Sequence, residues 1–355
     1  MTRVKKLLPS DRARVLVTGS TGYIGGLLVP ALLEAGVDVR VLVRHQEAVD
    51  SKPWCDAVDV IVGDARSPRD LHRALQGIDT AYYLLHSMGG DGDFVRRDRE
   101  LAQGFATAAE TARISRVVYL GGLRPTDHRE PSDHLASRAE VGRILLGCDV
   151  PTIVLQAGIV LGAGSASFDM LRYLSGRLPV MITPRWVHNR VQPVAIRDAL
   201  HYLVAVGTAD IPVDRTYDLA GPQVLTYEEM MQRYAAVAGL RPRHIWTAPV
   251  LTPGLASHWV GAVTPVPSGV ARPLMASLVH DVVAQEDDLV QVLPLPEGGR
   301  TRFDDAVSAA LDDVPRDRVA VRAEASASVA GLLALPVAHA VHIARTRCRS
   351  AGRKW

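Results

Sequence analysis

Residues 15–28, VLVTGSTGYIGGLL, set Gly19, Gly22 and Gly25 at G-x-x-G-x-x-G spacing. An apolar, β-branched strand precedes them, and an amphipathic helix follows and stops near Gly36. Few arrangements need small residues at those three places. One glycine permits a tight turn, one lets a ligand approach the backbone, and one lets the helix pack on the strand. The start of that helix offers free N–H groups and a positive dipole end, which suits a pyrophosphate. The expected contact set is Gly19, Ser20, Thr21, Gly22, Tyr23, Ile24 and Gly25. A glycine turn that holds no ligand is the plainer alternative.

The first 160 residues alternate strand-like and helix-like segments. Strands are expected at 14–19, 38–43, 59–64, 80–85, 116–121 and 152–157, all short, apolar and β-branched. Helical periodicity occupies 23–35, 68–76, 94–113 and 134–147. The alternation predicts an α/β fold with a doubly wound parallel sheet of the Rossmann kind. After about residue 160 the pattern loosens into a smaller substrate-side region. Helices are expected at 168–176 and 197–206, with strand-like VQPVAI (191–196) and YDLAG (217–221). In TYEEMMQRYAAVAGL, Thr226 and Glu229 form a capping-box pair and Gly239 stops the helix. The predicted divisions are a core at 13–165, a substrate-side region at 166–290 interleaved with it, and a charged, solvated extension with an Ala-rich tail at 291–355.

Bulk properties exclude several classes. With 355 residues and 48% hydrophobic content, the chain supports a large core. A formal charge of +2 gives no global argument for nucleic acid. Cys55, Cys148 and Cys348 lack metal or disulfide spacing, which predicts a reducing, cytoplasmic setting. Asp91 and Asp93 have too few acidic neighbours for a metal site. The basic N-terminus lacks the apolar stretch of a signal peptide. Residues 325–344 carry no Asp, Glu, Lys or Arg and precede a basic stretch; a surface or packed helix is expected ahead of a membrane span, because the run is mostly Ala and holds Pro336. Segment 247–275, with Trp259, is apolar and rich in Pro and Gly, which predicts a pocket wall, ordinary packing or peripheral membrane contact.

At the end of the second strand stands Arg44, where a site preferring NAD usually has an acid. A guanidinium pairs with a 2′-phosphate, so NADP(H) is expected ahead of NAD(H); an ordinary surface Arg is the alternative. Asp64 suits either an adenine amino group or a turn of its own.

These motifs together (TGSTGYIGG after a strand, Arg44, VGD, a strand ending LLHS, VVYLGGL, LQAGIVLGAG, and later PVAIRDAL and YDLAGPQVLTYEEMM) resemble the extended and atypical short-chain dehydrogenase/reductases. The resemblance covers roughly residues 13–290 and is nearest the NmrA-like and complex I accessory-subunit-like NAD(P)-binding proteins. It implies a catalytic Ser after the fifth strand and a Tyr-x-x-x-Lys on the next helix. This chain departs at both. Gly121 and Gly122 stand at the strand end, and His134 and Arg138 stand at the Tyr and Lys positions. The carboxyl ends of the strands in such a sheet place Leu85, His86 and Ser87 near the cofactor, and the resemblance adds Gly121, Gln156, Ala157 and Gly158, with Arg138 near the nicotinamide ribose. His134, Arg138 and Ser87 are the catalytic candidates. His134 suits proton exchange by its ordinary pKa, and Arg138 would keep it neutral by repulsion. Three functions are expected in this order: an oxidoreductase acting on a hydrophobic carbonyl, enone or quinone-like substrate; a non-catalytic NADP(H)-binding redox sensor or structural subunit; and a sugar-nucleotide epimerase or dehydratase.

Overall fold

The computed structural model describes residues 13–87, 93–127, 129–247 and 266–314. The chain divides at residue 311 into two compact units, and the second, Asp312–Trp355, falls almost wholly outside the described residues. So do Asp91, Trp259 and the 325–344 run, where three of the expectations above fall.

The strands are β1 (Arg14–Thr18), β2 (Asp38–Val43), β3 (Asp59–Val62), β4 (Thr80–Tyr83), β5 (Arg116–Gly122), β6 (Thr152–Ala157), β7 (Val160–Leu161), β8 (Val180–Thr183), β9 (Arg190–Val191), β10 (Val194–Ala195), β11 (Arg215–Leu219), β12 (Leu225–Thr226) and β13 (His244–Thr247). Seven of them make one parallel sheet in the order β11-β6-β5-β4-β1-β2-β3. The winding runs outward from β1 to β3, then returns to place β4 beside β1. Such a reversal opens a crevice at the carboxyl ends of the strands.

Both faces of the sheet are covered, which explains the unbroken apolar strands. Val15 and Val17 belong to one core cluster and Leu16 to the other, all fully buried. The first cluster takes in Leu28 and Leu32 of α1 (Tyr23–Glu34) and Leu203 and Val206 from residues 196–208. After the short α2 (Glu47–Asp50), the second cluster is built from α3 (Pro68–Leu75), α4 (Phe94–Ala112) and α5 (Asp133–Leu146), through Leu71, Phe105 and Leu145. Two further helices are α6 (Ala166–Arg177) and α7 (Ile196–Thr208). Tyr82 and Tyr83 are packing residues, one in each cluster. Tyr82 donates its hydroxyl to Leu203 O at 3.0 Å.

Three strands stop short of expectation, β1 by one residue, at Thr18. β3 ends at Val62 and β4 at Tyr83, two residues early in each case. Gly63 still donates to Val43 O, but the Asp64 N–H is taken by the Asp70 side chain, which turns the chain out of the sheet. In the later region, α8 (Tyr227–Val237) starts on the expected box: Thr226 Oγ1 accepts from Glu229 N at 3.1 Å, and Glu229 Oε2 accepts from Thr226 N at 2.7 Å. Gly239 ends it at φ +65°.

The stretch from residue 286 to 314 corrects the expectation of a solvated extension. α9 (Ser268–Ser277), α10 (Leu289–Val292) and α11 (Phe303–Asp312) lie along this part of the chain. Leu289, Leu293, Phe303 and Val307 are buried. Several of its charges also reach other elements while staying partly exposed. Asp288 pairs with Arg215 of β11 at 2.5 Å, and Asp304 pairs with Arg233 of α8 at 2.7 Å. Buried Asp198 of α7 accepts from Thr301 N at 2.6 Å. Among the described residues, no helix is long and apolar enough to cross a membrane.

Candidate functional site

The glycine loop sits at the reversal point between β1 and β4. Gly19 has φ +72°, and a β-carbon there would stand 2.6 Å from Leu84 O at the end of β4. Gly25 is tighter still, with Gly19 O 2.3 Å from the place of its missing β-carbon. Gly22 is the N-cap of α1, in an extended conformation that any residue adopts. No side chain caps this helix and its first turn has no acid, so its free N–H groups and dipole remain open to an anion. Ser20 is wholly buried, and its hydroxyl lacks a partner. A bare-backbone cradle, an uncapped helix start and an orphaned hydroxyl are what a bound pyrophosphate needs, so these residues fit a dinucleotide.

The outer candidates divide. Arg44 is exposed at the end of β2, and its charge helps to favour the ionised form of Asp64. Asp64 forms a turn of its own. It accepts from the Arg66 backbone at 2.9 Å and from the Arg66 guanidinium at 2.6 Å. The Arg66 hydrogen bonds hold its carboxyl below the usual range. Leu85 packs its side chain on the second core cluster.

A second group gathers at the carboxyl ends of β5 and β6 around a cavity of about 310 Å³. Of the expected residues, Tyr23, Ile24, Gly121, His134, Arg138, Ala157 and Gly158 line it. Gln156 is buried at the end of β6, in register with Gly121. Gly158 allows the close approach of Gln192 O, 2.5 Å from where a β-carbon would be. Apolar residues of the later region complete the wall, among them Met170, Trp186, Met230, Met231 and Leu274. From the described end of the 247–275 segment, α9 supplies Leu274 to the cavity and buries Ala271 and Met275.

His134 lies in the first turn of α5, buried, with only 8% of its surface exposed. Burial, then the Arg138 charge and the neighbouring His86 ring, push its pKa down to about 3. It is therefore neutral near pH 7, with burial the main cause and Arg138 the next. Arg138, one helical turn on, donates Nη1 to Leu120 O at 3.1 Å.

Sequence reasoning missed Asp98. This buried carboxylate of α4 accepts from Ser87 N at 2.9 Å and from Ser137 Oγ at 3.2 Å, and its Oδ2 lies 3.3 Å from His86 Nδ1. Burial opposes its ionisation, but the His86 and Ser87 hydrogen bonds outweigh that and hold it low. Burial and Arg138 depress His86, so the His86–Asp98 contact is a hydrogen bond of a neutral ring rather than an ion pair. The run FVRRDRELAQ hides Asp98 among solvated charges. Its spacing of four from Ala102 on the buried face was the available signal.

Comparison with known proteins agrees with this geometry. The family model described as NAD(P)H-binding matches residues 19–147. The ceramide reductase of Caulobacter vibrioides is 30% identical over 303 residues, covering 82% of this chain and 90% of that protein. The triphenylmethane reductase of Citrobacter sp., solved with NADP(H), superposes with a TM-score of 0.66 at 19% identity, over 83% of this chain and 99% of that one. The NADPH-dependent quinone oxidoreductase of Escherichia coli gives 0.66 at 17% identity, over 83% and 98%. From the glycine cradle at the sheet's reversal point to these relatives, the chain belongs to the atypical short-chain dehydrogenase/reductases, a class of NAD(P)H-binding proteins.

Proposed function

We propose that this protein is an NADP(H)-dependent reductase of an uncharged, largely apolar carbonyl compound. The observation that carries this reading is the cavity. Its walls are aliphatic, aromatic and Met-rich, and Arg138 is the single charged side chain among its described lining residues. A sugar nucleotide carries two phosphates that need cationic partners, so this wall disfavours the epimerase alternative. The similarity to a ceramide reductase points the same way.

When bound, the nicotinamide cofactor supplies hydride. The loop from Gly19 to Gly25 holds its pyrophosphate on the α1 N-terminus. Arg44 pairs with the 2′-phosphate that distinguishes NADP(H) from NAD(H). His86, Gly121, Gln156, Ala157 and Gly158 border the nicotinamide half at the strand ends. Arg138, anchored on Leu120 O, gives a fixed charge and N–H donors to the ribose and to the substrate oxygen, where negative charge develops. The apolar wall excludes water from that corner.

One observation favours a second reading. His134 is neutral and keeps no spare proton at neutral pH, and the Tyr and Lys of related enzymes are absent. A protein that binds NADP(H) without turning it over would look the same at these two positions. Fluorescence titration with NADPH and NADH, then oxidation of bound NADPH against apolar ketones, enones and quinones, separates the two. Turnover with any of them supports the reductase. Tight binding with no turnover across the panel supports the sensor.

A further inference from the structure

Two imidazoles meet beside the cavity, and each has a buried nitrogen without a partner: His86 Nε2 and His134 Nδ1. The ring centres are 5.4 Å apart and tilted by 40°. Two imidazoles sharing an N–H···N bond have centres roughly 5 Å apart, given an N···N distance of about 2.9 Å. The observed separation is compatible with such a bond between the two orphans, and leaving both unmet is costly in a buried site.

The direction of that bond follows from Asp98. An ionised carboxylate only accepts, so His86 gives Asp98 its Nδ1–H and its Nε2 is a lone pair. His134, carrying one proton, must then place it on Nδ1; the other tautomer would set two buried lone pairs against each other. Its Nε2 is left as an acceptor, on a residue that lines the cavity.

We infer that the Asp98–His86–His134 chain fixes His134 as a hydrogen-bond acceptor toward the cavity, so that the substrate bound there carries an O–H or N–H donor next to its carbonyl. The inference rests on the cavity being the substrate site. It makes His134 a specificity residue, where a Tyr would offer a donor. Asp98 and His86 act through it as positioning residues. Ser137 and the Ser87 backbone hold Asp98 in place, and Arg138 is the cation that faces both rings.

Long-range proton–nitrogen NMR of the full-length, ¹⁵N-labelled protein at neutral pH reads both tautomers directly. Both rings are expected in the Nδ1–H form. A His134 found as Nε2–H, or doubly protonated, overturns the inference without reference to any ligand. Hydroxymethyl decyl ketone and its methoxymethyl analogue then serve as probes. The hydroxyl compound is expected to shift the His134 Nε2 resonance and to bind roughly tenfold more tightly than the methoxy compound, the worth of one hydrogen bond. Equal affinity with no selective shift also overturns it. His86→Phe removes the acceptor and is expected to release His134 from the Nδ1–H form, while His86→Gln keeps an acceptor and retains it. If NADPH is never oxidised by the hydroxyl compound although these results hold, the reductase reading fails and the acceptor assignment stands.

Discussion

Gly25 presses its bare α-carbon against the carbonyl of Gly19, whose oxygen would lie 2.3 Å from a β-carbon at residue 25. Backbone cannot retreat there without pulling β1 away from α1. Gly25→Ala is therefore expected to destabilise the protein by about 1–3 kcal/mol, the usual cost of overpacking, and to weaken NADPH binding. Denaturant midpoints and fluorescence titration measure the two effects.

Gly22 separates phosphate binding from folding. Its extended conformation accepts a side chain, and a β-carbon would be 3.2 Å from Gly19 O, a contact that a shift of a few tenths of an ångström relieves. Asp is also a favourable N-cap. Gly22→Asp should keep or raise the melting temperature, yet weaken NADPH binding at least tenfold, since its carboxylate meets the phosphates. Retained affinity would mean that the phosphates lie elsewhere.

Arg44 is exposed, so replacing it should leave the fold alone. Arg44→Ser is expected to weaken NADPH roughly tenfold, consistent with losing a charge-assisted pair, and to leave NADH unchanged. Parallel titrations with both cofactors decide it; an equal loss for both would remove Arg44 from the 2′-phosphate.

Arg138→Leu keeps much of the side-chain bulk and removes the cavity's charge. If the guanidinium stabilises the developing oxyanion, kcat should fall about 100-fold while the cofactor dissociation constant changes far less. A large loss of cofactor affinity with kcat preserved would confine Arg138 to the ribose.

Stability should fall on acidification below about pH 6.5. The folded pKa of His134 is depressed to about 3, and that of His86 is lowered too. Between the folded and unfolded values the unfolded chain binds more protons, so stability rises with pH through that window and is lost as pH falls. One such group contributes a slope of about 1.4 kcal/mol per pH unit. His134→Phe should flatten the slope measured by denaturant unfolding between pH 4 and 6.

Much of the fold was legible because strands buried on both faces leave an unbroken apolar record, as VLV (15–17) and VVYL (117–120) do. The glycine loop was legible because its motif is local, three glycines within seven residues, although the contact that requires Gly19 comes from Leu84 far along the chain. What escaped was long-range. Asp98 reads as one more charge in an exposed helix, and only the loop after β4 and the start of α5 make it the holder of His86, Ser87 and Ser137. The ion pairs that Asp287, Asp288 and Asp304 make with Arg300, Arg215 and Arg233 are likewise not visible in their own stretch. The cavity was half visible. His134 and Arg138 followed from their place after β5, whereas Trp186 and the Met-rich wall come from helices and turns whose sequence says only that they are apolar.

The central claim is that hydride passes from NADPH to an apolar carbonyl held beside Arg138. NADPH deuterated at the transferable C4 position, incubated with the protein and hydroxymethyl decyl ketone, tests it by mass spectrometry of the product. Deuterium is expected on the carbinol carbon of the resulting diol, with about 100-fold slower formation of that product by Arg138→Leu. Tight NADPH binding with no deuterium in any product, across ketones, enones and quinones, would contradict it.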